Sequence, residues 1–411
     1  MQWRTRLKRL TASEKHEVIN DIFGGETEYN KFYDAVSVAY RIAEFIFLAA
    51  ALLFAVIYIA VNSGEIQYAQ FEYMAQNFAY TLNQNTDKRT YLTYEREEDQ
   101  KFTPYGGGLA VCGYKGVTLY SATGVKTAYI RHGLVDPIPV ASDRYLMIYE
   151  NGGNEYKLYS LYSEMYAGKS EYSIYGAFMG KDGSYALITS GGDGACCVLL
   201  YNKNFKLINK YTKYGSVVSA AISDDGAKIL IITVGVDGNG GYSSELMLCT
   251  AGSESVDRII TLSGALPLDC RFVSDSFVVL CDKKVCFFNS AGSLISENTF
   301  DGSFDFAELS DDCAVLVFCN SRGVGGFTAS LFDSSGNKVY SGDLSGTPLA
   351  LSSSGGSGFI LTGSGVVRIS PDSEPEYTEV DGISSGDRIR AINSREAYLC
   401  TPSHAIVVNF K

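Results

Sequence analysis

The side chains that could do chemistry are few and are dispersed along the chain. Of the three histidines, only His132 and His404 lie beyond residue 61. No spacing of histidine and cysteine typical of a metal site accompanies them. In Asp237–Gly241, oxygen-bearing side chains alternate with glycine as in a calcium loop, but the glutamate that such a loop needs further along is missing. We therefore predict no catalytic residue, no cofactor site and no metal site.

Aromatic side chains are the best candidates for binding. The chain contains 29 tyrosines, and the segment Glu155–Tyr175 is rich in them. Aromatic faces stack on sugars and form the centres of protein interfaces. In a simpler interpretation these side chains only cover the outer strands of one structural unit. The candidate binding residues are Tyr156, Tyr159, Tyr162 and Tyr166.

The ten cysteines fall inside apolar, strand-like runs, so we expect them to be small buried hydrophobic side chains with free thiols. Free thiols outside a membrane would indicate a poorly oxidising habitat. One pair is a candidate disulfide. In FVVLCDKKVCFF, a two-residue turn at Lys283 and Lys284 would place Cys281 opposite Cys286, with a Cα separation of about 4.5 Å.

A repeat begins near residue 88 and indicates the fold. Its unit is an apolar stretch, a Ser/Asp/Gly turn and three further strands. The turn and its flanks can be recognised eight times, as in AAISDDGAKILIIT and AELSDDCAVLVFC. The anchors of successive turns lie 39, 43, 50 and 37 residues apart, which is the period of a four-stranded propeller blade. These anchors are Asp143, Asp182, Asp225, Asp275 and Asp312, and turn chemistry explains the recurring carboxylate.

The last repeat supplies only three strands, so its outer strand must come from elsewhere. The alternating segment Arg89–Glu95 is suited to this role and would close the ring. We predict an all-β domain over residues 88–411, an eight-bladed β-propeller, with seven blades as the alternative if the first unit is not a full blade. His132 and His404 would then share one face, in neighbouring blades, where we expect two exposed loop histidines.

A single apolar segment precedes this domain. Residues 42–61 (IAEFIFLAAALLFAVIYIAV) are long enough to cross about 30 Å of hydrocarbon. Seven basic residues precede the segment and none lies in residues 62–86, so the positive-inside rule places the N-terminus in the cytoplasm. We predict a cytoplasmic segment (residues 1–41), an uncleaved transmembrane helix (42–61) and a juxtamembrane helix or linker (62–87). The C-terminal domain is extracytoplasmic.

The charge of the outer part limits its partners. Residues 1–61 carry seven basic and seven acidic side chains, so the net charge of −12 belongs to the remainder. An acidic surface repels nucleic acid and anionic lipid headgroups, which excludes both as partners. The only tryptophan is Trp3, in the cytoplasmic segment, so the tryptophan floor of a quinone cofactor site is missing outside.

Repeats of the type SDDGxxxxIIT and LFDSSGNK resemble those of quinoprotein-like and WD-repeat-like propellers. The short basic N-terminus, single span and outer propeller are similar to an uncharacterised family of membrane-anchored propeller proteins of Gram-positive anaerobes. The stretch Met147–Ser160 is similar to a characteristic segment of that family. The resemblance implies the fold and the topology and gives no activity.

These observations predict a non-catalytic scaffold at the cell envelope that binds a protein partner outside the membrane. The alternative is an envelope enzyme or binder that acts on cell-wall glycan or peptide. A cluster of carboxylates in the central mouth of the propeller would favour the enzyme.

Overall fold

The chain divides into two compact units, residues 1–71 and 72–411. The computed structural model describes residues 31–61, 90–161, 163–236, 242–253, 255–262, 264–274, 276–300, 304–319, 326–371 and 373–410. Several predicted features lie outside these residues. They are residues 1–30 of the predicted cytoplasmic segment, the segment at 62–87, the calcium-like loop Asp237–Gly241, the turn residue Asp275 and the candidate binding residue Tyr162.

In the first unit, Lys31–Val61 form one α-helix, α1. The stretch Ser37–Ile57 is long and apolar enough to cross a membrane, and its side chains are exposed. The helix begins before the predicted span because no proline or glycine interrupts the sequence between Lys31 and Val61.

The second unit is a ring of eight four-stranded antiparallel sheets, which confirms the eight-bladed propeller. Blade 8 combines the first strand of the chain with the last three. These strands are β1 (Tyr91–Thr93), β30 (Arg388–Ala391), β31 (Glu396–Cys400) and β32 (His404–Asn409). Blades 1 and 2 contain β2 (Lys101–Tyr105), β3 (Gly108–Cys112), β4 (Val117–Tyr120), β5 (Lys126–Ile130), β6 (Pro137–Ala141), β7 (Leu146–Glu150), β8 (Glu155–Tyr159) and β9 (Glu164–Lys169). Blades 3 and 4 contain β10 (Ile174–Met179), β11 (Tyr185–Ser190), β12 (Ala195–Tyr201), β13 (Leu207–Tyr214), β14 (Ser216–Ile222), β15 (Lys228–Val236), β16 (Tyr242–Thr250) and β17 (Val256–Leu262).

The remaining three blades follow the same order. Blade 5 contains β18 (Pro267–Val273), β19 (Ser276–Cys281), β20 (Lys284–Asn289) and β21 (Leu294–Thr299). Blade 6 contains β22 (Phe304–Leu309), β23 (Cys313–Cys319), β24 (Phe327–Asp333) and β25 (Lys338–Leu344). Blade 7 contains β26 (Pro348–Ser354), β27 (Ser357–Thr362), β28 (Gly365–Ile369) and β29 (Glu376–Glu379). A short 3₁₀ turn, Gly192–Gly194, joins β11 to β12.

We call the strands of each blade A to D from the centre of the ring outward. The A strands of neighbouring blades contact one another around the ring. Because the strands alternate in direction, the A–B and C–D turns lie on one end of the ring, the AB face. The B–C turns and the D–A connections lie on the other end, the BC face.

The hydrophobic core is divided among the interfaces between blades. Eight clusters of buried side chains occur in the described residues, one between each pair of neighbouring blades. The B strands are buried almost throughout because each blade is covered on both faces, which explains their continuous apolar sequences.

Closure of the ring follows the predicted arrangement. Strand β1 pairs with β32. Residues 91–93 therefore form the D strand of blade 8, and the C-terminal residues form its A, B and C strands. Leu92 is fully buried and packs in the cluster between blades 8 and 1. The predicted segment 89–95 contains this strand, which is shorter than the segment.

A bulge recurs in the A strand of blades 3 to 7, near the BC face. In each, one residue is left without a partner in the register with the B strand, and the strand bends there. The unpaired residues are Tyr175, Val218, Leu268, Asp305 and Leu349.

Candidate functional site

The A strands of all eight blades line a central cavity of about 830 Å³. The cavity extends to the AB face, where the A–B turns of blades 1, 2, 3, 4, 6 and 8 border its mouth. Every blade contributes residues to this one surface, which makes the cavity the candidate site.

The two sides of the cavity differ in polarity. Blades 1 to 3 contribute a mainly apolar wall that includes Pro104, Val140 and Phe178. Blades 5 to 8 contribute a polar wall that carries both signs of charge. Its charged and hydroxyl side chains include Arg271, Glu308, Ser352 and Arg390.

A network of ion pairs crosses the mouth on the AB face. The Lys181 Nζ lies 2.8 Å from a carboxylate oxygen of Asp224 and 3.2 Å from one of Asp311. The Arg271 Nε lies 2.7 Å from the second oxygen of Asp311. Lys181 belongs to blade 3 and Asp311 belongs to blade 6, three positions away in a ring of eight. The ion pair between them therefore spans the mouth. Burial disfavours the ionised form of Asp311, but Arg271 and Lys181 outweigh it and lower its pKa.

Deeper in the cavity, Glu308 has no ion-pair partner among the described residues. Burial raises its pKa, although Arg390 and Arg271 act in the opposite direction, and Ser352 donates a hydrogen bond to it. Burial also raises the pKa of Asp269, although its surface is exposed. Asp269 accepts hydrogen bonds from the Ser219 hydroxyl and the Cys270 backbone N–H, each at 2.8 Å.

The carboxylate cluster that would favour an enzyme is therefore present, but part of its charge is compensated. Asp224 and Asp311 are held by Lys181 and Arg271. No group of three or more histidine, cysteine, aspartate or glutamate side chains within the described ranges has the geometry of a metal site.

The predicted tyrosine surface of blade 2 is divided by the alternation of β8. Tyr156 is buried against blade 3, where its ring contacts those of Tyr185 and Tyr201. Tyr159 is buried against blade 1. Tyr166 is half-buried, and its ring stacks on Phe205 at 5.1 Å. Tyr156 and Tyr159 therefore pack between blades. A binding role for blade 2 stays a prediction, and it would involve Tyr166 on the outer strand β9.

The predicted register of Cys281 and Cys286 is corrected by the pairing of β19 with β20. Cys286 lies opposite Val279, and the turn is formed by Asp282 and Lys283, one residue earlier than predicted. The two cysteines are diagonal neighbours, with free thiols that are close enough to hydrogen-bond. Directly opposite side chains lie closer than diagonal ones, so the predicted geometry for a disulfide is not formed.

The two outer histidines are not brought together. His132 is buried, and its ring contacts the Gly113 carbonyl and the Leu134 N–H. Burial lowers its pKa, which favours the neutral form. His404 stacks on Tyr91 at 5.0 Å and hydrogen-bonds to Thr401. The expectation of two exposed loop histidines was therefore wrong, since His132 is buried and His404 is half-buried at the start of β32.

Sequence reasoning explained the second aspartate of each SDD turn and missed the first. The carboxylate of Asp225 accepts the Ala227 N–H, as predicted from turn chemistry. Its neighbour Asp224 instead borders the mouth of the cavity, as Asp311 does beside Asp312. The doubled aspartate was the available signal, since one carboxylate is enough to close the turn.

Comparisons with known proteins identify a family, and one solved structure supports the fold. A family model described as "Family of unknown function (DUF5711)" matches residues 81–372. The crystal structure of BamB from Moraxella catarrhalis is similar, with a TM-score of 0.52, 12% identity, and coverage of 79% of this chain and 99% of that one. The β-propeller domain of Cps50 (Swd1) from Myceliophteria thermophila has a TM-score of 0.48, 11% identity, and coverage of 78% and 99%. No curated protein sequence matches this chain. At these identities the likeness concerns the fold alone.

Proposed function

This chain belongs to the DUF5711 family of unknown function, and we propose that it is a non-catalytic scaffold that binds a protein partner at the cell envelope. In this proposal α1 anchors the chain in the membrane and the propeller presents its loops outside. The observation that carries the binding role is a set of exposed apolar side chains on the BC face of a closed ring.

Support for an anchor comes from the composition and exposure of α1. The side chains of Phe45, Phe47 and Phe54 are more than 70% exposed, which is unfavourable in water and favourable in lipid. The seven basic residues that precede the helix core favour a cytoplasmic N-terminus under the positive-inside rule.

Support for a binding face comes from five apolar side chains that share the BC face. Val135, Tyr214 and Val236 are 82, 84 and 71% exposed, and each lies at a strand end or in a connection on that face. Tyr114 of blade 1 and Tyr175 of blade 3 add to the set. Tyrosines and aliphatic side chains presented on rigid loops are typical of the centre of a protein interface.

The alternative function, an enzyme that acts on wall glycan or peptide, is supported by Glu308, a carboxyl group with a raised pKa inside a cavity. A glycosidase needs a second free carboxyl group across the scissile bond. The wall that faces Glu308 is mainly apolar, and its carboxyl group, that of Asp143, lies in an A–B turn at the mouth, which favours binding over hydrolysis. Release of soluble fragments from purified cell wall by the wild-type chain, lost in Glu308→Gln, would establish the enzyme instead.

Photo-crosslinking in native membranes tests the scaffold. A photoreactive amino acid is placed at Tyr214 or Val236 in the full chain, and at Ile295 on the outer strand β21 as the exposed control. We expect a discrete protein adduct from the two BC-face positions and none from Ile295. Adducts that contain only lipid, or equal adducts from all three positions, would contradict a partner on this face.

A further inference from the structure

The A-strand bulges of blades 3, 4 and 5 place three apolar side chains at the BC face. Tyr175, Val218 and Leu268 are the residues that these bulges leave without a partner, and all three are exposed. In blade 2, whose A strand pairs without a bulge, Ile138 at the corresponding end is half-buried. A regular strand directs its side chains to the two faces that neighbouring blades cover, so the residue that each bulge adds is the one that becomes exposed.

These bulges lie next to one another. Ser219, which follows Val218, donates its hydroxyl to a carboxylate oxygen of Asp269, which follows Leu268, with 2.8 Å between the oxygens. The A strands of blades 3 and 4 are also in contact, which brings the bulge of blade 3 beside the other two. The three exposed side chains therefore belong to one surface.

Two further exposed apolar side chains extend this surface outward. Tyr214 ends the D strand of blade 3, and Leu266 lies in the connection from blade 4 to blade 5, both on the BC face. We call the five side chains together the bulge patch; they are Tyr175, Tyr214, Val218, Leu266 and Leu268. Adjoining apolar side chains that are held on rigid strand ends and exposed to water mark a surface for a partner.

Exposed carboxylates surround the bulge patch. Glu171 precedes the A strand of blade 3, Asp193 lies in the 3₁₀ turn of the same blade, and Asp305 is the bulge residue of blade 6. Within the part of the chain that the structure describes, none of these three carboxylates forms an ion pair or a hydrogen bond. They are therefore available to a partner.

Basic side chains do not balance these carboxylates. Lys284 is paired with Glu297 at 3.0 Å, and Lys213 is half-buried on β13. Among the described residues of blades 3 to 5, this leaves Lys283 as the exposed basic side chain on the BC face. A partner that carries basic groups beside apolar ones complements this surface, whereas the carboxylates repel anionic lipid headgroups.

We infer that the bulge patch binds a basic amphipathic segment of the protein partner. The aliphatic side chains of that segment cover the apolar residues of the patch, and its lysine or arginine side chains lie at the three surrounding carboxylates. This inference rests on the proposed scaffold function and adds the place and the chemistry of the contact. It also narrows the binding face, because the patch needs only blades 3 to 5 and the bulge residue of blade 6.

Peptide titration of the full chain in phosphatidylcholine nanodiscs tests the chemistry without a native partner. The probe is a blocked peptide in which leucine and lysine recur with helical spacing, and the control peptide has glutamate in place of lysine. Empty nanodiscs measure the binding to lipid, which is subtracted. We expect the lysine peptide to bind about tenfold more tightly, because it forms ion pairs where the control peptide meets like charges. Equal affinities, or no binding of the lysine peptide at millimolar concentration, would overturn the inference.

Two pairs of variants locate the site. Leu268→Ser removes an apolar side chain of the bulge patch and Asp193→Lys reverses a surrounding charge, and we expect each to weaken the lysine peptide about fivefold. The matched controls are Leu294→Ser and Glu374→Lys, at exposed positions in C–D turns on the AB face, and both should bind as the wild type does. A control variant that weakens binding as much as its counterpart in the patch would place the peptide elsewhere and refute the inference.

The two proposals fail in distinguishable ways. If the BC-face crosslink to a protein keeps its yield in both Leu268→Ser and Asp193→Lys, the scaffold stands and the basic segment at the bulge patch is refuted. If only lipid is crosslinked but the lysine peptide binds selectively, the assignment of the patch stands and the scaffold proposal is refuted.

Discussion

Neighbouring acidic residues in this propeller have different roles because their carboxylates point in different directions. Asp225 closes its turn through the Ala227 N–H, whereas Asp224 pairs with Lys181 at the mouth of the cavity. Glu308 has neither a turn to close nor a cation in contact. Its position on an A strand places it inside the channel, where desolvation controls its ionisation.

The raised pKa of Glu308 predicts a pH-dependent effect on stability. The folded chain holds a proton that the unfolded chain releases near pH 4, so this group stabilises the fold at low pH. That contribution is lost as the pH rises through the folded pKa. We expect Glu308→Gln to match the wild type near pH 4 and to become progressively more stable than it toward pH 7. Urea unfolding of the full chain at several pH values measures the difference.

Glu379→Gln is the control, since this exposed carboxylate should show little pH-dependent difference. A difference for Glu308→Gln that is constant with pH, or that shrinks as the pH rises, would show that Glu308 is not held protonated by burial.

Burial also predicts which thiols react. Of the nine cysteines whose side chains the structure describes, only Cys196 is half-exposed. Burial raises the pKa of Cys112 to about 12, so its reactive thiolate is scarce at neutral pH. We expect maleimide to label Cys196 in the folded chain and the other eight only after unfolding, as measured by peptide mass spectrometry. Failure of Cys281 and Cys286 to react after unfolding without reductant would reveal a disulfide between them.

At the scale of elements, the seam of the ring is the part that depends on contacts between distant residues. Blade 8 takes three strands from the C-terminal residues and its outer strand from Tyr91–Thr93. Tyr94 adds to the seam by donating its hydroxyl to blade 8 backbone carbonyls at 2.7 Å. This closure removes an exposed sheet edge on which another chain could add.

Leu92 is the side chain through which this seam can be tested. It is 1% exposed in a strand of three residues, and its neighbour Thr93 is exposed. We expect Leu92→Ala to lower the free energy of unfolding by about 2–5 kcal/mol, because it leaves a cavity in the core. Thr93→Ala should change it by less than about 0.5 kcal/mol. Equal effects in urea unfolding of the two variants would mean that β1 does not hold the ring closed.

At the scale of the whole molecule, two units with opposite surface properties share one chain. The described helix exposes apolar side chains throughout Ser37–Ile57. The propeller unit buries its apolar side chains between blades, and the net charge of −12 belongs to the residues that follow α1. This separation favours a membrane anchor joined to a water-soluble domain.

The proposed topology predicts which end of the chain a protease can reach in intact cells. We expect protease to remove a tag that follows Lys411 and to spare a tag that precedes Met1 until the cells are lysed. The opposite pattern would invert the topology. Loss of the N-terminal tag from the mature chain would show that α1 is a cleaved signal sequence. A cytoplasmic protein measured in the same cells serves as the control for lysis.

Most of the fold could be predicted because it depends on local signals. The period of the turns gave the blades, and the alternation in Arg89–Glu95 identified the closing strand. The cavity could not be predicted in this way. Lys181 and Asp311 lie 130 positions apart and are joined only because their turns border one mouth. The predicted register of Cys281 and Cys286 was wrong for a local reason, because a turn shifted by one residue changes the cross-strand partner of every residue in the hairpin.

By itself, the sequence determined an all-β ring of repeated blades, its closure and one helix apolar enough to cross a membrane, because repetition and apolar patterning are encoded within a few tens of residues. Only the tertiary structure decided which carboxylates face a common cavity and which tyrosines are buried. Those outcomes depend on the direction of each strand and on which blades meet, and closing the ring brings together residues that are far apart along the chain.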